Sequence, residues 1–365
     1  MLKNIVAIWF ALLAIFFPLP YSTFPFHTKV IKFLFFPICD SISRWIGLET
    51  EQQYFISDGI HLHVLACLLF IVAVTIIIFT QKWHFQKLMI ELSAKISIYF
   101  VALILFKYGF MKVFKQQFYL PEPNILATRF GDLDKDILYW STMGTSRIYS
   151  IFLGLSEIIA AALLAFRKSR FFGLLLAFGI LINIWMVNIG FNIGVKLLST
   201  LLLTIVLKEI FPYLVSIYKS LNEQKPYHHS TPVASVPFWA KVLILTFFLF
   251  ESLGPSIANV NFNDDLDKRP SLHGWYHSLS VEQSNPINIF FHRDQYYITE
   301  DIDGEMESRA IDYINNNTIY FNEPYSRPII YQLNGDTLIL NKNHYLKSSW
   351  RSKRAISKDW NWIAE

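Results

Sequence analysis

A chain of 365 residues that is 53% hydrophobic and 17% aromatic but only 16% charged lies outside the composition of soluble domains, so much of it must face lipid. Its formal charge of +4 is unevenly spread: from Ile257 onward there are 11 Lys/Arg against 15 Asp/Glu, leaving 21 against 13 before it. The basic excess is therefore juxtamembrane and argues against a nucleic-acid partner, while Cys39 and Cys67, with no C-x-x-C pair, encode neither a disulfide framework nor a local thiol relay.

Lys3 to Pro20 has a basic start and a long apolar run without an A-x-A-like cleavage site, the pattern of an uncleaved signal anchor. His27 to Gly47 mixes aromatic runs with Lys29, Lys32, Pro37, Asp40 and Arg44, which predicts a helix lying in the membrane interface. Further spans are expected at His61–Thr80, Ile90–Met111, Ile148–Phe166, Phe171–Ile189, Gly194–Phe211 and Phe238–Pro255, each near the roughly 20 residues a hydrocarbon core requires. Seven spans put the termini on opposite sides. The basic loops Gln81–Lys87 and Arg167–Arg170, with Lys219 and Lys225 after the sixth span, fall on one face, which is then cytoplasmic. Thr50, the loop Lys112–Arg147 and everything after Pro255 are expected outside, and Pro226–Pro237 is expected to be a cytoplasmic linker.

From about Pro286 the period changes. INIFFH, QYYIT, TIYF, IIYQL and TLILN are short alternating or β-branched runs, separated by Arg293-Asp294, Asp303-Gly304, Asn315-Asn316-Asn317 and Asn334-Gly335-Asp336. These predict a meander of about five to seven strands. The fold class is thus an α-helical polytopic membrane protein with a small all-β C-terminal domain. Its expected parts are two spans and the interfacial helix in 1–89, a four-helix core in 90–212, a linker and last span in 213–256, and the β-rich domain in 257–365.

A charge in the bilayer costs at least about 2.5–3.5 kcal/mol on insertion scales, so each needs a partner or a purpose. Lys107, Glu157, Lys196 and Glu251 fall within or at the ends of spans, and the topology gathers them in the outer half. Asn183, Asn188, Asn192 and Ser199 share that zone, with Lys112 at the end of the third span. Gly154, three residues before Glu157, permits close approach of another helix. Glu157 is expected to pair with Lys107 or Lys196 and lock the bundle, or to line a pocket with the same residues. Two histidine pairs, His61/His63 and His273/His277, do not make a metal site by their spacing alone, and Glu300–Glu305 fits a hairpin turn better than a calcium loop. The sequence contains no Ser-His-Asp, phosphate-loop or dinucleotide fingerprint.

The stretch from Lys95 to Leu207 resembles the DoxX-like membrane proteins. The resemblance rests on Tyr108-Gly109-Phe110-Met111-Lys112, Gln117-Phe118 with Pro121, Trp140, Met143-Gly144-Thr145-Ser146, Tyr149, Phe152-Leu153-Gly154 and Glu157. It continues through Asn183, Asn188 and Val195-Lys196-Leu197-Leu198-Ser199. Long forms of that family carry extra N-terminal spans and a β-rich tail ending near a Trp-Ile-x-Glu sequence, here Trp362-Ile363-Ala364-Glu365. The resemblance implies a four-helix core and, from the best-known relatives, a part in redox complexes such as thiosulfate:quinone oxidoreductase. Lys112, Glu157 and Lys196 carry over as motif positions, and no cysteine lies within the core.

Three functions are compatible with these readings. The first is a quinone- or lipid-associated redox component in which Lys107, Lys112, Glu157, Asn183 and Lys196 hold a polar headgroup, with Asn188, Ser199 and Glu251 in the same zone. The second is a non-enzymatic envelope protein presenting its β-domain to a membrane or periplasmic partner. The third is a vitamin K carboxylase-like enzyme, by analogy of architecture alone.

Overall fold

The apolar runs form helices of the length a bilayer needs. The computed structural model describes residues 1–19, 23, 25–48, 55, 58–81, 86–223, 237–279, 286–293, 295–323, 326–340 and 343–348. Most of the linker 226–237, the centre of the loop at 82–85, Thr50, Lys225, Asp294 and the terminal Trp362–Glu365 lie outside the described residues. The described helices are α1 (Leu2–Phe16), α2 (Pro25–Trp45), α3 (Ile60–Thr80), α4 (Gln86–Val113), α5 (Pro123–Ala127), α6 (Lys135–Gly144), α7 (Arg147–Ala165), α8 (Arg170–Gly190), α9 (Lys196–Glu223) and α10 (Phe238–Ala258).

Six of them, α3, α4, α7, α8, α9 and α10, are long and apolar enough to cross a membrane, which makes this a multi-pass membrane protein. Their bounds lie close to the expected spans, except that α9 runs on to Glu223. The expected first span is shorter than predicted: α1 has 15 residues, about 22 Å of helix. The cause is local, because Phe17 precedes Pro18 and is already extended (φ −73°, ψ 122°), as a residue before proline prefers. The helix α2 is amphipathic in the expected place, burying Ile31, Cys39 and Ser43 while Phe26, Phe33, Ile38 and Trp45 are exposed.

Two compact units are formed. One comprises Met1–Gln117 with Ile148–Phe262, the other Phe118–Arg147 with Asn263–Glu365. In the first, α4 is central and packs against α1, α9 and α10. Buried Phe100, Ile104 and Leu105 of α4 join Leu65, Leu164, Leu181 and Val206 in one core. Because α4 is surrounded, its polar side chains must be satisfied inside protein. Ser93 and Ser97 donate to the carbonyls of Met89 and Ser93 one turn back.

The second unit is an eight-stranded closed antiparallel barrel, more than the five to seven strands expected. Its strands are β1 (Gly274–Ser278), β2 (Asn288–Phe291), β3 (Tyr296–Glu300), β4 (Met306–Asn315), β5 (Thr318–Phe321), β6 (Ile329–Asn334), β7 (Thr337–Leu340) and β8 (Asn343–Lys347). They pair in chain order and close through β1 with β8, Tyr276 opposite Lys347. Closure removes the sheet edges. Inward positions alternate with outward ones, so Tyr276, Phe291, Tyr297, Ile319, Leu338 and Tyr345 fill the interior. The predicted turns that lie wholly among the described residues hold: Asn316 and Asn317 both have positive φ (46° and 58°) between β4 and β5, as a two-residue hairpin demands. Glu300–Glu305 is a hairpin turn in which Asp301 Oδ1 accepts the Asp303 and Glu305 amides at 3.0 and 2.9 Å. Segment 118–147, between two spans in sequence, folds into α5 and α6 within this unit.

Candidate functional site

The costly polar residues of the helical unit sort into pairs, and small residues decide which pairs form. A Cβ built on Gly109 would lie 2.8 Å from the Gly154 carbonyl and one on Gly154 would lie 2.4 Å from the Gly109 carbonyl, with Ile158 and Val113 as the flanking neighbours. α4 and α7 therefore cross antiparallel at these two glycines, at backbone contact. Lys112 and Glu157 each stand three residues past the crossing. Because helix side chains lean toward the N-terminus, in an antiparallel pair the two lean toward each other.

Lys112 Nζ lies 2.8 Å from Glu157 Oε1 and 3.0 Å from Oε2, and both side chains are buried. Ser150 completes the seam by donating to the Lys112 carbonyl at 2.7 Å. The expected partners of Glu157, Lys107 and Lys196, are corrected to Lys112. Five residues separate Lys107 from Lys112, about 140° of helix rotation, so the glycine crossing brings only Lys112 to α7.

Lys107 instead faces α10. Its Nζ lies 2.9 Å from Glu251 Oε1, both side chains being buried. Thr23, in the connection between α1 and α2, donates its amide to both Glu251 oxygens at 3.2 Å and its hydroxyl to the Glu251 carbonyl at 3.3 Å. Gly254 makes room, since a Cβ there would lie 2.6 Å from the Thr23 hydroxyl. Farther along the same seam, Gln116 Nε2 donates to Ser256 Oγ and to the Asn261 carbonyl, both at 2.9 Å. In hydrocarbon, where water cannot substitute, these contacts remove the uncompensated charge that would otherwise be prohibitive.

Lys196 and Ser199 stand apart from both pairs. The Asp58 carboxylate accepts the first two amides of α9, Lys196 N and Leu197 N, each at 2.9 Å, and Lys196 Nζ lies 3.7 Å from it. Asp58 thus fills the anion position at the start of a 28-residue helix. Ser199 bonds back to the carbonyls of Val195 and Lys196. Asn192 adopts the left-handed conformation (φ 54°) that ends α8, and the Asn188 carbonyl accepts the Ile193 amide at 2.9 Å. The Asn188 side chain is buried, with its Nδ2 unpartnered among the described residues. Asn183 is exposed on α8 and points away from the bundle interior, not into it.

A second charged cluster belongs to the barrel unit, and of its residues the sequence singles out only His273 as a candidate ligand, with Arg293 noted only as a turn residue. Glu122, just before α5, accepts His273 Nε2 at 2.9 Å and the Arg293 amide at 3.2 Å. The Arg293 guanidinium binds both Glu122 and Asp264 and stacks on Tyr119 at 4.1 Å, while Arg269 reaches Asp264 at 2.9 Å. Burial alone would raise the Glu122 pKa, but His273, His292 and Arg293 together hold it down at about 2. Burial would likewise lower the Arg293 pKa, yet Glu122 and Asp264 raise it.

The histidine pairs do other work. His277 Nδ1 bonds Asn288 Oδ1 at 2.7 Å from strand β1, so helical i, i+4 spacing does not apply. His61 packs against Phe36 and Phe55, 3.6 Å from Asp40. Among the described residues no group of three or more His, Cys, Asp or Glu side chains is placed to hold a metal. Local signals existed for the residues the sequence reading missed: Asp58-Gly59 before a helix is a turn and capping signal, and Glu122-Pro123 opens a short helix.

No protein-family model matches the chain, and no solved structure matches it. A relative from Bacillus subtilis (strain 168), described as uncharacterized protein YwoB, is 35% identical over 108 residues, which cover 30% of this chain and 68% of the relative. With that share of the relative matched, the chain belongs to the family of YwoB.

Proposed function

We propose that the chain is a DoxX-like protein of the bacterial inner membrane whose helices anchor an extracytoplasmic β-barrel and present it to a partner chain. The observation that carries this reading is the pairing of Lys112 with Glu157 and Lys107 with Glu251. Buried ion pairs that tie one helix to another lock a bundle, and a locked bundle suits an anchor better than a binding chamber. The basic loops around 81–87 and 167–170, with Lys219, support a cytoplasmic N-terminus with α1 as a seventh, thin span, and an acidic, periplasmic barrel. Cross-linking in intact membranes followed by purification tests it. Partners captured by the full chain should be lost when residues 263–365 are removed. Retention of every captured partner and of the cellular phenotype in the truncated chain refutes the role.

A second reading, a quinone- or lipid-headgroup site in a redox component, is favoured by the buried Asn188 amide, whose donor has no partner among the described residues and suits a carbonyl acceptor. Extracting the purified protein tests it: a quinone held in stoichiometric amount, and lost in Asn188→Leu, supports it, whereas bulk lipid alone refutes it.

A further inference from the structure

Among the six long helices, α8 shares with α10 the smallest buried fraction, and its uncovered face carries a polar group that lipid alone does not require. Phe172, Leu176, Gly179, Asn183, Met186 and Gly190 are all exposed, and their spacings alternate four, three, four, three, four. With Leu175, Ile182 and Ile189 exposed beside them, they form a continuous seam along the helix, long enough for another helix to pack against. Two of its members are glycines with nothing within 4 Å of a built Cβ, open positions that let a second backbone approach closely. At its centre is a primary amide. Asn183 lies seven residues before the end of α8, about 10 Å inside it, and its side chain makes no hydrogen bond among the described residues. An amide facing hydrocarbon without a partner is costly, and a neighbouring helix is the usual remedy.

We propose that this face of α8 is a homodimer interface, occupied by α8 of a second copy of the chain, with the two Asn183 amides bonded to each other. The occupant follows from symmetry and chemistry. Two copies inserted in the same sense are related by an axis along the membrane normal, so every seam residue meets its own counterpart at its own depth. A carboxamide is both donor and acceptor, so a second copy always supplies the matched group. An unrelated helix would need a polar residue at that same depth.

The test uses the full chain carrying one C-terminal fluorophore, reconstituted in phosphatidylethanolamine/phosphatidylglycerol vesicles, with subunits counted by single-molecule photobleaching across a range of lipid-to-protein ratios. The wild type should bleach mainly in two steps. Asn183→Leu should raise the dissociation constant about tenfold, the effect of one interhelical amide pair, and Gly179→Ile should do likewise by holding the backbones apart. Ile159→Ala, at an exposed apolar position of α7, should leave dimerisation unchanged. Circular dichroism establishes that each variant keeps its helix content. If Gly179→Ile does not insert, Asn183→Leu decides alone, since leucine is at home in lipid. Single-step bleaching of the wild type at every ratio, a dimer unmoved by Asn183→Leu and Gly179→Ile, or equal loosening by Ile159→Ala each overturns the interface.

Discussion

The helical unit and the barrel unit both bury charge, but they distribute it differently. In the helical unit two buried ion pairs each join one ammonium to one carboxylate on another helix: Lys112 with Glu157, Lys107 with Glu251. In the barrel unit Glu122 accepts from His273 and twice from Arg293, and Arg293 divides its guanidinium between Glu122 and Asp264. The membrane sets the stricter condition. A membrane core offers no water to a stranded ion, so neutrality is met contact by contact. In the barrel unit a shared network tolerates imbalance at any one bond, and it joins a chain segment distant in sequence, 118–147, to the strands of the same unit. One-to-one pairs should therefore fail abruptly when halved, whereas a network should lose stability by degrees and respond to pH.

The largest effect is expected where a pair is halved. Glu157→Gln leaves Lys112 buried beside a neutral amide and should cost about 3–5 kcal/mol, read as lost thermal stability of the detergent-solubilised protein. Glu157→Gln combined with Lys112→Met removes both charges and should recover most of that loss. A double variant no more stable than the single one would show that the pair is not an isolated unit, and the contrast between the two regions would collapse.

Next in size is the acid response of the barrel unit. The Glu122 pKa falls from its ordinary 4.5 to about 2 in the folded unit. A depressed carboxylate contributes stability that is complete above about pH 4.5 and is lost as the pH falls toward 2, here about 3 kcal/mol by linkage. Hydrogen exchange of the β1 and β2 amides, followed from pH 6 to pH 2, should show this loss. Glu122→Gln should cost a similar amount at pH 6 and abolish the slope. A slope that survives the substitution would assign the acid response to another carboxylate.

The pairing of Lys112 with Glu157 depends on a backbone crossing, which a smaller change can probe. Gly154→Ala puts a Cβ 2.4 Å from the Gly109 carbonyl, a backbone atom that cannot swing aside, and should cost about 2 kcal/mol. An unaffected melting temperature would mean that α4 and α7 can part without breaking the pair.

What was legible in the sequence, and what was not, follows the range of the interactions. The six long helices are visible because each is a local run of apolar residues, and β5 (TIYF) and β7 (TLIL) because alternation is local too. The strand β4 is hidden by its own composition: MESRAIDYIN buries only Ile311 fully, so polar outward residues mask the period. β1 and β8 take their places from closure, a pairing about 70 residues apart in sequence that no local pattern announces. The polar groups of the helical unit were recognisable as costly, but their partners were not. Gly154 was read as a close-approach residue, yet only its meeting with Gly109 chooses Lys112 over Lys107. Asn183 was grouped with the interior because depth can be read from sequence position, whereas the side of the helix that faces lipid depends on the packing of its neighbours.

The smallest effect tests a charge that belongs to neither class. Asp58 sits at the N-terminus of α9, partly exposed, with two backbone amides as its principal donors. It is fixed by the helix dipole more than by Lys196, whose ammonium stands off at 3.7 Å. Asp58→Asn keeps a side-chain oxygen for one amide and removes the charge, so it should cost only about 1 kcal/mol. Lys196→Met should cost less still, because a partly exposed ion pair at that distance contributes little. If Lys196→Met instead proved as damaging as Glu157→Gln in the same thermal assay, the Asp58–Lys196 contact would belong with the buried pairs, and the one-to-one rule would extend to the very end of the helical unit.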